Sequence, residues 1–234
     1  MDDIYNTMKI NNLQKLNESG FNYDPQLICE KDDRYCQAIF SVPNPEQTNF
    51  TPEFYQLQNM LSTEENGITY YINNQNFLSA GTFHFTFIQQ ITFNNYYVLS
   101  NEVINKYCDI MSKILYKYLP FKIYYNKLIA VTNGLVLCGD ASININTLRD
   151  EYRTECKINN LPLIEPYYLN IIHSTLFRFT NKQNTKEFLD KYEYYLNNDV
   201  DYGYIVIDHF NFGKATWKVN MNEICMDYIL KNNK

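Results

Sequence analysis

The stretch GTFHFTFIQQ, residues 81–90, alternates aromatic and polar side chains as an extended chain does. Phe83, Phe85 and Phe87 lie two apart, so a strand turns all three to one face, where they can pack on a core. The same geometry turns His84, Thr86 and Ile88 to the other face. A histidine beside a threonine on a phenylalanine-rich strand needs a polar environment, because an unpartnered polar group at a buried face is costly. A structural histidine satisfied by a neighbour is the plain alternative.

The phrase returns in NIIHSTLFRF, residues 170–179, inside a strand predicted over about 169–178. His173 and Thr175 again share one strand face. Of the three histidines in the chain, these two carry a hydroxyl two positions on, and each strand is followed by an amphipathic helical pattern. The two segments read as copies of one unit. Strict alternation puts Arg178, five positions after His173, on the opposite face, in a surface or supporting place rather than against a phosphate. His209, in VIDHFNFG (206–213), has no such hydroxyl and reads as structural.

Two imidazoles facing one cleft can divide acid and base work near neutral pH. One, neutral, takes a proton from water or a hydroxyl, and the other, protonated, supplies one to the departing oxygen. Two threonine hydroxyls can donate to non-bridging phosphate oxygens. None of this requires a metal or an organic cofactor.

His84-Phe85-Thr86-Phe87 and His173-Ser174-Thr175-Leu176 resemble the paired H-x-[ST]-x-hydrophobic motifs of the two-histidine (2H) phosphoesterase superfamily. The order of elements over about residues 35–222 fits that resemblance. It implies an α+β, bilobal fold: two mostly antiparallel sheets flanked by helices around a central cleft, each lobe donating one motif. It also implies His84 and His173 as catalytic and Thr86 and Thr175 as phosphate-binding. The family's activities include opening 2′,3′-cyclic phosphates, cleaving 2′,5′-linked oligoadenylates, trimming RNA 3′ ends and joining RNA halves. Residues 1–34 fall outside the resemblance as an extension, a candidate lid or cap, and 223–234 form a C-terminal tail.

The chain has 234 residues, enough for one large domain or two small lobes, and a formal net charge of -6. No run of Lys or Arg appears, which argues against a binder of long nucleic acid and for a small nucleotide or short oligonucleotide. Among 22 tyrosines, Tyr70, Tyr71, Tyr124, Tyr125, Tyr167 and Tyr168 lie near predicted cleft edges, and Tyr70, Tyr124 and Tyr168 are the candidates to stack on a base. The six cysteines are scattered without a C-x-x-C pair and read as reduced thiols, and Asp199, Asp201 and Asp208 make no recognisable metal cluster. Neither a signal-like start nor a run of about 18 apolar residues is present, so a cytoplasmic, monomeric protein with no membrane contact is the expectation. G-x-S-x-G, Walker A, G-x-G-x-x-G and H-E-x-x-H are missing, which removes the support for hydrolase, nucleotide-loop, dinucleotide and zinc-protease readings. An RNA 3′-end processing enzyme, a nucleotide- or RNA-binding module that turns nothing over, and a purely structural protein remain the alternatives.

Elsewhere the pattern predicts strands at 37–43, 68–72, 121–130 and 135–139, with closing strands over 203–210 and 215–221 separated by a turn at 211–214. Helices are predicted after Thr51-Pro52, from about Ser100 to Tyr118, around 147–157, and from a Thr185 cap. Residues 1 to about 33 show no clean periodicity.

Overall fold

Alternating strands and amphipathic helices leave two sheets to be covered, and the chain covers both with one shared apolar core. The computed structural model describes residues 2–29, 34–72, 80–94, 99–115 and 117–215. Its first half runs α1 (Asp2–Ser19), β1 (Tyr35–Ser41), β2 (Thr48–Phe50), α2 (Pro52–Ser62), β3 (Gly67–Tyr71), β4 (Gly81–Thr82), β5 (Phe85–Asn94) and α3 (Asn101–Leu115). The second half runs β6 (Phe121–Val131), β7 (Gly134–Ala141), α4 (Ile145–Ile158), β8 (His173–Phe179), α5 (Thr185–Lys191), α6 (Glu193–Asn197), β9 (Gly203–Ile207) and β10 (Asn211–Ala215). The class is α+β.

Three strands, in the order β10-β1-β5, make an antiparallel sheet. The other seven, β2-β9-β6-β7-β8-β3-β4, are antiparallel except for the β3–β4 pair. The chain passes from the large sheet to the small one at Phe83-His84, between β4 and β5, and again between β9 and β10. The first crossing therefore sets His84 where the two sheets meet. Phe83, Phe85 and Phe87 are fully buried, as alternation predicts, each contributing about 1.5–3 kcal/mol of apolar burial.

Helix starts follow local chemistry. Thr51 caps α2 through its Oγ1, which accepts from the Phe54 amide, and Phe54, Leu57 and Leu61 form the buried stripe. Asn144 caps α4 two residues earlier than expected. Asn184, not Thr185, caps α5; the Thr185 hydroxyl instead accepts from the Phe21 amide. The predicted turn at 211–214 is strand β10, paired along β1 from Phe40–Asn211 to Cys36–Ala215. Phe210 and Phe212, two apart and both buried, outweigh the turn-forming look of Asn-Phe-Gly-Lys. Beyond Ala215 the predicted strand over 215–221 lies outside the described residues, as do the tail and Cys225.

Residues 2–19 form a helix although their sequence shows no apolar stripe. Tyr5 and Leu16 are buried, three turns apart on one face. The positions between them on that face are Met8, Lys9 and Asn12, half-buried, and the polar members hide the period. Tyr5 packs with Ile129, Val136 and Cys138, so the helix lies against β6 and β7.

Candidate active site

His84, Thr86, His173 and Thr175 line one cavity of ≈ 860 Å³. His84 and Thr86 come from the small sheet, His173 and Thr175 from the large one. Pairing registers show how each strand aims its side chains. On β1–β5, Phe40 faces Thr86 but the next β1 residue, Ile39, faces Ile88, so β5 carries an extra residue directly after Thr86. On β7–β8, Val136 faces Thr175 and Leu135 faces Phe177, so β8 carries its extra residue directly after Thr175. Both motif strands bulge at the same place.

A bulge inserts one residue against none and reverses the alternation beyond it. Two expectations fail for that reason. Ile88, expected beside His84 and Thr86, is fully buried in the core, and Gln89 takes the cavity face. Arg178, expected on the far face, pairs with Gly134 in line with Val136–Thr175 and lines the cavity. Each motif thus presents three side chains at offsets 0, +2 and +5: His84, Thr86, Gln89 and His173, Thr175, Arg178. Between them, Ser174 points into the core, where its hydroxyl meets the Tyr125 hydroxyl at 2.6 Å.

His84 lies half-buried with Nδ1 2.8 Å from the Thr82 carbonyl. A carbonyl only accepts, so Nδ1 carries the proton and Nε2 is left as an acceptor. Burial pushes the His84 pKa down to about 4, partly offset by that hydrogen bond and reinforced by the Arg178 charge. Burial, with the charges of Arg149, Arg178 and His84, pushes His173 down to about 3. Both rings are neutral at pH 7 in the unliganded protein.

The same values make the fold acid-sensitive. An imidazole in the unfolded chain titrates near 6.5, so as pH falls the unfolded state takes up protons first. The stability tied to these two rings is complete above pH 6.5 and lost as pH drops through the interval down to about 3. Urea midpoints between pH 7 and 4.5 should fall in the parent and fall less in a His84→Gln/His173→Gln double variant. Parallel slopes would show that the rings are not desolvated.

Arg149, on α4, is completely buried. Its Nε donates to the Phe87 carbonyl at 2.8 Å and Nη2 to the Thr86 carbonyl at 3.3 Å. Nη1 donates to the Ile171 carbonyl at 2.8 Å and to Asn146 Oδ1 at 3.2 Å. One guanidinium therefore ties the bulge of β5 to the residues entering β8.

The three tyrosines expected to stack on a base do not line this cavity. Tyr70 is fully buried and its hydroxyl is in hydrogen-bond contact with Arg178, so it supports that side chain from below. Tyr124 is exposed but packs beside Tyr204. Tyr168 donates to Asp150 Oδ1 at 2.6 Å and has the Arg153 guanidinium 4.0 Å over its ring, which covers that face. Tyr167, one position away, is exposed and does line the cavity. Sequence alone could not choose between adjacent tyrosines in an irregular loop.

His209 sits away from the cavity, with Nδ1 2.6 Å from Asp208 Oδ1. Among the described residues no group of three His, Cys, Asp or Glu side chains could hold a metal ion, and no helix is long and apolar enough to cross a membrane. Among the described residues Cys29, Cys36, Cys108, Cys138 and Cys156 form no disulfide.

No family model and no curated protein matches the chain. Among solved structures it is similar to E. coli LigT complexed with NADP+, at 10% identity and a TM-score of 0.44, over 79% of this chain and 89% of that one. The apo form of E. coli LigT gives 11% identity and 0.44, over 78% and 89%. The chemistry of the site has to be argued from its own residues.

Proposed function

We propose that the chain is a phosphodiesterase that acts without a metal on a small nucleotide or a short oligonucleotide, with His84 and His173 as its acid–base pair. The observation that supports this most is the convergence of two H-x-T strands, from different sheets and with the same bulge, on one cavity. His84, with Nδ1 protonated, suits the base: Nε2 takes a proton from the attacking water as the oxygen bonds phosphorus. His173, protonated in the complex, gives its proton to the oxygen that leaves, so the products are a phosphomonoester and an alcohol. Burial, helped by the charges of Arg149 and Arg178, keeps the free His173 neutral, and a bound phosphate anion opposes both by favouring the protonated ring. Thr86 and Thr175 donate to the non-bridging oxygens and Arg178 supplies charge where it builds.

The test is a screen of 2′,3′-cyclic nucleotides and of 2′,5′- and 3′,5′-linked short oligonucleotides, with product identification, on protein dialysed against EDTA. Turnover of one class in EDTA is the expected result. Activity lost in EDTA and restored by Mg²⁺ or Mn²⁺ would assign the chemistry to a metal and overturn the reading. Tight binding of these ligands with no turnover would make the chain a nucleotide-binding module.

A further inference from the structure

At ≈ 860 Å³ the cavity is larger than one phosphodiester and its flanking sugar require, and α1 supplies part of its wall. Ile4, Thr7, Met8, Asn11, Asn12 and Lys15 all line it. Thr7, Asn11 and Lys15 are four apart, so they form one polar stripe about 12 Å long at 1.5 Å per residue. Lys15 is exposed, and no described carboxylate pairs with it. Lys9 differs: its ammonium is bonded to the Leu196 carbonyl and Asn197 Oδ1, outside the cavity. The other charged residues lining the cavity are Arg178 and Glu165. Both Glu165 oxygens are held by Arg153, at 2.7 and 2.8 Å, which leaves the α1 wall positive. Asn12 spends its amide NH₂ on the Met8 carbonyl.

This wall is fixed to the catalytic strand. The Tyr5 hydroxyl donates to the Gly139 carbonyl at 2.7 Å and accepts from the Ile172 amide at 3.0 Å. Ile172 immediately precedes His173. At the other end Leu16 is buried, Phe21 packs on Phe179 and Phe188, and the Asn22 amide donates to the Thr132 carbonyl. A helix pinned at both ends is a wall rather than a lid.

We propose that α1 builds a second anion subsite, in which Lys15 pairs with a phosphate other than the one attacked and Asn11 and Thr7 hydrogen-bond beside it. The proposal rests on the phosphodiesterase reading and narrows it: the substrate carries at least two phosphate groups, as in a 5′-phosphorylated dinucleotide, rather than being a cyclic mononucleotide. Arg178 serves the reacting phosphate, and Lys15 serves the second one. A single added cation binds one more phosphate without a basic track for longer chains.

The experiment compares a dinucleotide with and without a 5′-phosphate, on the parent, Lys15→Gln and Lys15→Glu. The ratio of kcat/KM for the phosphorylated over the unphosphorylated form should be at least about 10 in the parent and fall toward 1 in Lys15→Glu, through KM rather than kcat. A ratio near 1 in the parent, or one unchanged by Lys15→Glu, overturns the subsite. If neither dinucleotide is turned over, the catalytic reading is decided by the full substrate screen, and calorimetric Kd values for the same pair decide the subsite. Tighter binding of the phosphorylated form, lost in Lys15→Glu, supports it; equal Kd values overturn it.

Discussion

His84→Ala and His173→Ala are each expected to lower kcat by at least about 10²-fold, the usual worth of one acid–base group. His84→Ala removes the ring whose Nδ1–H is tied to the Thr82 carbonyl and whose Nε2 is free to accept. His173→Ala removes the partner on the opposite sheet. Each side chain lies on a cavity wall rather than in the core, so melting temperatures should change little beyond the lost hydrogen bond of His84, about 1 kcal/mol. The pH profile carries the second half of this prediction. Without ligand, burial pushes His84 down to about 4 and His173 down to about 3, so under the proposed mechanism the limbs of kcat/KM should lie well on the acid side. Bound phosphate adds negative charge beside both rings and favours their protonated forms, so the limbs of kcat should lie at higher pH. Because the rings feel each other, the limbs belong to the pair. Full activity in either alanine variant would remove the mechanism. Coincident kcat and kcat/KM profiles would show that no anion sits between the imidazoles.

How far the sequence carried is set by where alternation stops. His84, Thr86, His173 and Thr175 precede the bulges, so a period of two aims them correctly. Ile88 and Arg178 follow the bulges, and the extra residues there are Phe87 and Leu176, with no glycine to mark them. Nothing local distinguishes a bulged strand from a regular one in such a stretch. The N-terminal helix was hidden for another reason: it buries Tyr5 and Leu16, but the half-buried positions between them include the polar Lys9 and Asn12. The β10 strand shows the opposite failure, where turn-like composition lost to aromatic packing across the small sheet.

Arg149 was legible only as one residue of an amphipathic helix, because its four partners come from three separate segments. Its replacement is the second large expected effect. A buried cation held by carbonyl and amide oxygens, with no carboxylate bonded to it, is costly to keep; removing it leaves the Phe87 and Ile171 carbonyls without these donors. Arg149→Met should cost about 2–4 kcal/mol in urea unfolding, the range for stripping the partner from buried, charge-bonded groups. In protein kept folded at low temperature, kcat should fall by about 10²-fold, as expected when reacting groups shift by about 1 Å. Arg149→Lys separates two causes. Lysine keeps the charge that helps depress His173, yet its single ammonium cannot fork between Phe87 on one strand and Ile171 before the other. If charge alone matters, Arg149→Lys restores both rate and pH profile. The bridging geometry predicts a parent-like acid limb in Arg149→Lys with the rate still low, and in Arg149→Met a low rate with the limb moved to higher pH. Full rate in Arg149→Lys would mean that the two motif strands hold their spacing without this clamp.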